Sequence, residues 1–245
     1  MSAVATGRTA LDGRTVLVVG GSSGIGAEVA RRAAAAGAHL VVTGRDEAKL
    51  AAAAARIGTE RTAAFDAHDE DALRGFFTDV GAVDHVVSMI GDSMSGGFID
   101  TTPETMRHVV ESKFLTNWTI ARLAAPLVRA GGSVVFTSGT GGRPHDTSAS
   151  TVANLGLGAL VQGLAVELGP AVRVNAVAPT FMDTPFWSGL PRAQFEQIRA
   201  GFVTKVPLGR LGTVEEVAEA YLYLMTATFV TGQVLAVDGG VSVTA

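Results

Sequence analysis

The sequence predicts an α/β protein, a doubly wound parallel β-sheet of about seven strands with helices on both faces. Three observations predict it. Short runs rich in Val, Ile and Leu alternate along the chain with stretches of helical periodicity. The connections between successive strands are long enough to hold a helix, as parallel pairing requires. The first strand ends in a burst of small residues that opens directly into a helical pattern.

That opening stretch, residues 15–26, reads TVLVVGGSSGIG. Its apolar, largely β-branched residues Val16 to Val19 suit a strand buried on both faces of a parallel sheet. Gly20, Gly24 and Gly26 follow with the spacing G-x-x-x-G-x-G, and a helical pattern runs over 27–36. Strand, glycine turn and helix leave backbone N–H groups and a positive dipole end facing one point. An anionic group, most usefully a pyrophosphate, fits there. Glycine suits the turn because it permits positive φ and lets a ligand approach the backbone. Plain turn chemistry after a buried strand is the competing explanation.

Residues 39–43 read as a second strand closed by Gly44-Arg45-Asp46, and Glu47–Ile57 as an alanine-rich helix. A third strand at 61–65 ends at Asp66; a helix over 69–78 and a fourth strand at 83–90, ending in Gly91, come next. After a loop of small residues at 92–97, one long helical region is expected over 103–130. A fifth strand at 133–137 leads into the glycine-rich loop 138–142, a helix over 149–168 and a sixth strand at 173–177. An irregular, aromatic-bearing insertion at 181–210, a helix over 214–225 and a strand at 233–237 follow. Ligands of such sheets gather at the carboxyl ends of the strands. Gly20, Arg45, Asp66, Gly91, Ser138 and Pro179 are therefore expected along one edge. With no internal repeat or linker, 1–245 reads as a single domain with a small substrate lid at about 181–210.

Hydrophobic content of 47% and charged content of 17% supply a sizeable core. A net charge of −4 without any Lys/Arg cluster argues against nucleic acid or an anionic membrane as partner. No run reaches about 18 apolar residues, and the opening MSAVATGRTALDG lacks the apolar centre of a signal peptide. A soluble cytoplasmic protein is expected. The chain has no cysteine, which excludes disulfides and thiolate chemistry. His39, His68, His85 and His108 show no metal-ligand spacing, so no metal is expected.

Taken together, these motifs resemble the short-chain dehydrogenase/reductase family over essentially the whole chain. Gly20-x-x-x-Gly24-Ile25-Gly26 matches its cofactor loop, Arg173-Val174-Asn175-Ala176-Val177-Ala178-Pro179 its sixth strand, and Thr231-Gly232 with Asp238-Gly239-Gly240 its C-terminal signature. The resemblance implies a Rossmann-type fold, a nicotinamide dinucleotide, hydride transfer to or from a carbonyl/alcohol carbon, and a homo-oligomer, tetramer or dimer. An acid at the end of the second strand binds the ribose 2′-OH of NAD, whereas an Arg accommodates a 2′-phosphate. Here Gly44 stands where NAD-preferring members carry the acid, and Arg45 follows with a planar fork suited to phosphate. NADP(H) is therefore expected over NAD(H), with Ser22 and Ser23 adding hydroxyls. The alternative is that Arg45 caps a surface turn and pairs with Asp46 or Glu47. The resemblance further implies Asp66 and Ala67 facing the adenine, Gly91 the adenosine side and Thr184 the carboxamide. An N-cap for the following helix is the other role open to Asp66.

The catalytic half departs from the family's Asn, Ser, Tyr and Lys. The only tyrosines, Tyr221 and Tyr223, lie in an EAYLYLM setting that reads as packing. The flanking motifs register Ser138 on the serine position, Ser150 and Asn154 on the tyrosine and lysine positions, and Lys113 on the asparagine position. Ser88-Met89-Ile90-Gly91 replaces Asn-Asn-Ala-Gly, and Thr180 replaces the glycine after Pro179. A serine hydroxyl is a far poorer acid than a phenol of pKa about 10, so Ser150 is expected to donate a hydrogen bond without giving up its proton. A buried ammonium has its pKa lowered from about 10.4, which makes Lys113 a feasible proton donor. The alternative is a solvated Lys113 paired near Glu111. His145 and Asp146 are reserve acid/base candidates.

Phe181, Met182, Phe186, Trp187, Phe195 and Phe202 crowd the insertion. The resemblance puts this segment at the substrate mouth, with Phe181, Phe186, Trp187 and His145 as substrate contacts. Sealing a helix pair or a subunit contact is the other use of such rings. The expected function is NADP(H)-dependent reduction of a ketone or activated double bond of an apolar or aromatic small molecule. The alternatives are a catalytically silent NADP(H)-binding sensor or structural protein and, further off, non-redox chemistry in the same cleft.

Overall fold

A computed structural model describes residues 10–244 of the chain. Strands β1 (Thr15–Val19), β2 (His39–Gly44), β3 (Thr62–Ala64), β4 (Val83–Ser88), β5 (Val128–Thr137), β6 (Arg173–Pro179) and β7 (Val234–Val237) form one sheet. Its order is β3-β2-β1-β4-β5-β6-β7, and every pairing is parallel. The order reverses between β1 and β4, which opens a crevice beyond their carboxyl ends.

Helices α1 (Gly24–Ala35), α2 (Glu47–Ile57) and α8 (Val214–Thr226) cover one face; α3 (Glu70–Asp79), α5 (Thr116–Ala124) and α6 (Ser148–Glu167) cover the other. Two apolar clusters result. Val16, Val18, Val42 and Val135 meet Val29, Leu50 and Tyr221 on the first face, while Leu17, Val86 and Phe136 meet Phe77, Ile120 and Leu157 on the second. The period-2 alternation within each buried strand sends neighbouring residues to opposite clusters. Helix starts are set locally: Asp46 and Asp69 cap α2 and α3, and Thr213 with Glu216 forms a capping box on α8.

Several boundaries differ from the sequence expectation. Helix α1 begins at Gly24, inside the glycine turn. The region 103–130 is not one helix: α4 (Pro103–Val110) gives way to a π-helical turn, Glu111–Leu115, before α5, and a short 3-10 turn, Ala125–Leu127, closes it. Strand β5 already starts at Val128, which pairs with Val83 across a register shift. Within 181–210, α7 (Arg192–Val203) is a regular helix. By length and composition α6 could cross a membrane, with a hydropathy of 1.4. Leu157, Val161 and Ala165 on it instead belong to the sheet core, while Leu155 and Val166 face outward.

Candidate active site

The glycine turn lies at the crevice. The N–H groups of Gly20 and Gly21 both donate to Thr43 O, which fixes the turn against β2. Ser23 is the N-cap of α1, and its side chain makes no capping bond. The first N–H groups of the helix have no carbonyl behind them and point at the crevice. A Cβ on Gly26 would stand 2.4 Å from Gly20 O, so only glycine allows this packing. The turn thus presents free donors on a surface stripped of side chains, which fits a pyrophosphate.

The end of β2 discriminates further. A Cβ on Gly44 would lie 2.8 Å from Ser22 Oγ, so Ser22 fills the space an acidic side chain would need. Arg45 is exposed and has no ion-pair partner among the described residues. Asp46 is engaged instead with the Lys49 N–H, so the turn-capping alternative for Arg45 finds no contact. Asp66 accepts the His68 N–H at 3.0 Å, whereas Asp69 caps α3; an N-cap role for Asp66 is thereby corrected. Ala67 is buried beside it. Pro179 O holds the Thr140 N–H at 2.9 Å, and Thr184 packs 3.7 Å from where a Cβ on Gly24 would be. Ile25 packs against the α1-side core and is half-buried.

Lys113 and Asn154 come together. Lys113 Nζ donates to Asn154 Oδ1 at 2.8 Å, and Asn154 Nδ2 donates to Gly139 O at 3.2 Å. The lysine stem lies along Gly91, where a Cβ would come within 3.0–3.1 Å of Lys113 Cε, Cβ and Cγ. Lys113 is only 6% exposed, so the solvated alternative is wrong. Burial pushes its pKa down to about 8, against a smaller upward pull from Asp92. The π turn makes this possible, because one wider turn rotates Lys113 inward. Asn117 secures it: its Nδ2 donates to Lys113 O at 2.6 Å and Ile90 O at 3.0 Å, while its Oδ1 accepts from Ser88 Oγ at 2.6 Å.

Ser138 N donates to Val177 O at 2.8 Å, and the Ser138 hydroxyl has no protein partner among the described residues. Its neighbour Gly139 is beside the pair, a Cβ there lying 3.7 Å from Lys113 Nζ. Ser150 behaves differently from the expectation. Its Oγ accepts the Met94 N–H at 2.9 Å and donates to Met94 O at 3.1 Å. With its single proton committed to the loop after β4, it positions that loop and is not a free donor to a substrate. His145 is exposed on the turn, and Asp146 Oδ1 accepts the Arg143 N–H.

The lid rings form a cluster of their own. Phe181 lies 5.0 Å from Trp187, 5.4 Å from Phe195 and 5.5 Å from Phe202 between ring centres. Phe186 stacks edge-on against Trp187 at 4.9 Å and is 52% exposed. Phe181 and Trp187 therefore hold the lid together, and Phe186 is the ring left open. Tyr221 is core, its hydroxyl 2.8 Å from Thr137 Oγ1; Tyr223, read as packing, is half exposed. Among the described residues no group of three His, Cys, Asp or Glu side chains stands together.

Sequence reasoning missed Asn117, and it named Ser88 only as a departure from the family's turn, without its bond to Asn117. A signal existed: Asn117 follows Lys113 by four residues, on the same helix face.

A family model described as Enoyl-(Acyl carrier protein) reductase matches residues 19–242. A protein of Streptomyces violaceoruber named for ketoacyl reduction in the granaticin polyketide synthase is 40% identical over 239 residues, covering 91% of this chain and 94% of its own. The 3-oxoacyl-[acyl-carrier-protein] reductase FabG of Chlamydia muridarum is 30% identical over 247 residues, covering 94% and 97%. Among solved structures, a short-chain type dehydrogenase/reductase from Mycobacterium ulcerans superposes with a TM-score of 0.85 at 31% identity, covering 95% of this chain and 91% of its own. A small-chain dehydrogenase in complex with NADPH superposes at 0.80 with 27% identity, covering 95% and 100%. With the parallel sheet, the glycine turn and these likenesses in agreement, the chain belongs to the short-chain dehydrogenase/reductase family of nicotinamide-dependent oxidoreductases.

Proposed function

We propose that this protein is an NADP(H)-dependent reductase of a ketone or activated double bond on an apolar small molecule, with Lys113 as proton donor. The observation that carries this reading is the buried Lys113–Asn154 contact beside Gly91 and the Ser138 loop. When bound, the reduced nicotinamide supplies a hydride to the substrate carbon. Lys113 holds the proton that the oxygen takes up as charge develops there, and it is left neutral until water reprotonates it. The ammonium, shielded from water, also attracts that oxygen more strongly than it would in solvent. Asn154 Oδ1 aims Nζ, and the Ser138 hydroxyl donates to the same oxygen. Phe186 offers an apolar contact for the substrate. The relatives named for ketoacyl reduction support the reductive direction, and the neighbour solved with NADPH supports the phosphorylated cofactor.

Fluorescence titration tests the cofactor. NADPH is expected to bind more tightly than NADH, and Arg45→Ala to weaken NADPH by about 10–100-fold, the scale of hydrogen bonds to a charged group, with NADH unchanged. Equal affinities in the unaltered protein would remove the cofactor assignment. A panel of ketones, quinones and enones followed by NADPH oxidation tests turnover. The committed Ser150 proton favours a second reading, an NADP(H)-binding sensor, which the panel separates by showing binding without oxidation.

The reading includes a homo-oligomer, dimer or tetramer. Leu155 and Val166 on α6 are 71% and 82% exposed, with Val152, Leu115 and Trp118 also outward, and a second copy would cover them. Leu155→Arg is expected to lower the mass seen by light scattering. A monomer in the unaltered protein would refute this part.

A further inference from the structure

Lys113 reaches the crevice from the α4–α5 wall, and no carboxylate forms an ion pair with it among the described residues. The elements packed on its turn carry few charges: Glu104, Arg107 and His108 on α4, Arg122 on α5, Glu167 at the far end of α6, and Asp92 in the loop after β4. Glu111 within the turn is exposed. Only Asp92 is built into the surroundings of Lys113. Its neighbour Gly91 lies flat against the lysine stem, and its own N–H donates to Ser112 Oγ at 3.3 Å, one residue from Lys113. Its carboxylate is gripped by His108, Nε2 to Oδ2 at 2.8 Å.

We infer that Asp92, clasped by His108, is a positioning residue that keeps the Lys113 ammonium charged at the crevice. This rests on the reading of Lys113 as proton donor and deepens it. A buried cation without a carboxylate in contact tends to shed its proton. A fixed negative charge on the same wall opposes that loss without forming the tight pair that would immobilise Nζ. In this chain the cation stands on the α4–α5 wall, and Asp92, in the loop after β4, is tied to that wall through Ser112 and His108. His108 holds the carboxylate in register, so releasing it weakens the same coupling. The direction agrees with the upward pull Asp92 exerts on the lysine.

The chain has three lysines, Lys49, Lys113 and Lys205, so selective carbon-13 labelling at lysine Cε gives three NMR signals. Lys113→Met assigns the buried one. Its titration midpoint is expected near 8 in the unaltered protein. Asp92→Asn is expected to lower that midpoint by about 0.5–1 pH unit, and His108→Ala to lower it by less, with Lys49 and Lys205 unmoved. A midpoint near 8 that stays put in both variants overturns the role of Asp92 and leaves the Lys113 reading intact. A midpoint near that of the two surface lysines in the unaltered protein overturns both. Asp92 and His108 have side chains 40% and 52% exposed, so neither substitution opens the core.

Discussion

Lys113→Met is expected to make the protein more stable and nearly inactive at once. Below pH 8 the lysine is charged in both the folded and the unfolded chain, and the folded form bears the cost of a buried ammonium. Its pKa falls from 10.5 to about 8 on folding, a difference of about 3 kcal/mol at 1.36 kcal/mol per unit. Methionine fills much the same volume without the charge. The variant loses the hydrogen bond to Asn154 Oδ1, which offsets about 1–2 kcal/mol. A net gain of about 1–2 kcal/mol at pH 7 follows. The pH dependence carries the sign. Because the folded pKa is the lower one, the unfolded chain binds more protons between pH 8 and 10.5, and the stability of the unaltered protein rises across that window. The unaltered protein regains about 3 kcal/mol across that window, so the advantage of Lys113→Met shrinks as pH climbs from 8, vanishes within the window and is reversed by pH 10.5. Urea unfolding of both proteins at pH 7 and pH 10.5 checks this; a pH-independent difference would contradict it.

Activity moves the other way. Removing a general acid typically lowers kcat by about 10²–10⁴-fold, and NADPH affinity should hold within a few-fold. With the protonated lysine as the proposed working form, turnover in the unaltered protein is expected to be flat below pH 8 and to decline tenfold per unit above it. A substrate from the ketone and enone panel whose turnover survives Lys113→Met would exclude the lysine as proton donor.

The second large effect is expected at Asn117. This side chain is fully buried and joins three partners: Ser88 Oγ, Ile90 O and Lys113 O. Asn117→Leu keeps the volume and removes every one of these bonds. Ile90 O and the Ser88 hydroxyl proton then lose the amide, each costing about 1–3 kcal/mol, while Ser88 Oγ keeps the Ile90 N–H at 3.4 Å and Lys113 O stays within the helix. A loss of about 2–6 kcal/mol in urea unfolding is expected, with the Lys113 NMR signal broadened or displaced as the π turn relaxes. A loss below 1 kcal/mol would mean that water replaces the amide without penalty, and Asn117 would then not be what holds Lys113 inward.

Sequence alone carried the architecture, because the signals for it are local. Four apolar residues ending in glycine make β1 and its turn legible at Val16 to Gly26, and the spacing of strands dictates parallel pairing. Gly44 followed by Arg45 pointed to a phosphorylated cofactor from two adjacent letters. The absence of Tyr and Lys from α6 was likewise plain in the sequence. What chain order could not decide was which of the replacement side chains work together. Ser150 and Asn154 sit four residues apart on one helix, yet Ser150 is bound to Met94 and Asn154 to Lys113, contacts spanning 56 and 41 residues. The π turn left no periodic mark, since the helical pattern of 103–130 continues through it in sequence while the backbone widens by one residue. The aromatic residues of the lid were visible, but whether a ring faces substrate or its neighbours depends on centroid distances that only packing sets. The glycine turn was thus legible as a site suited to an anion from short-range chemistry alone. The place of the buried Lys113 amine came from three walls, β4, the π turn and α6, meeting around it.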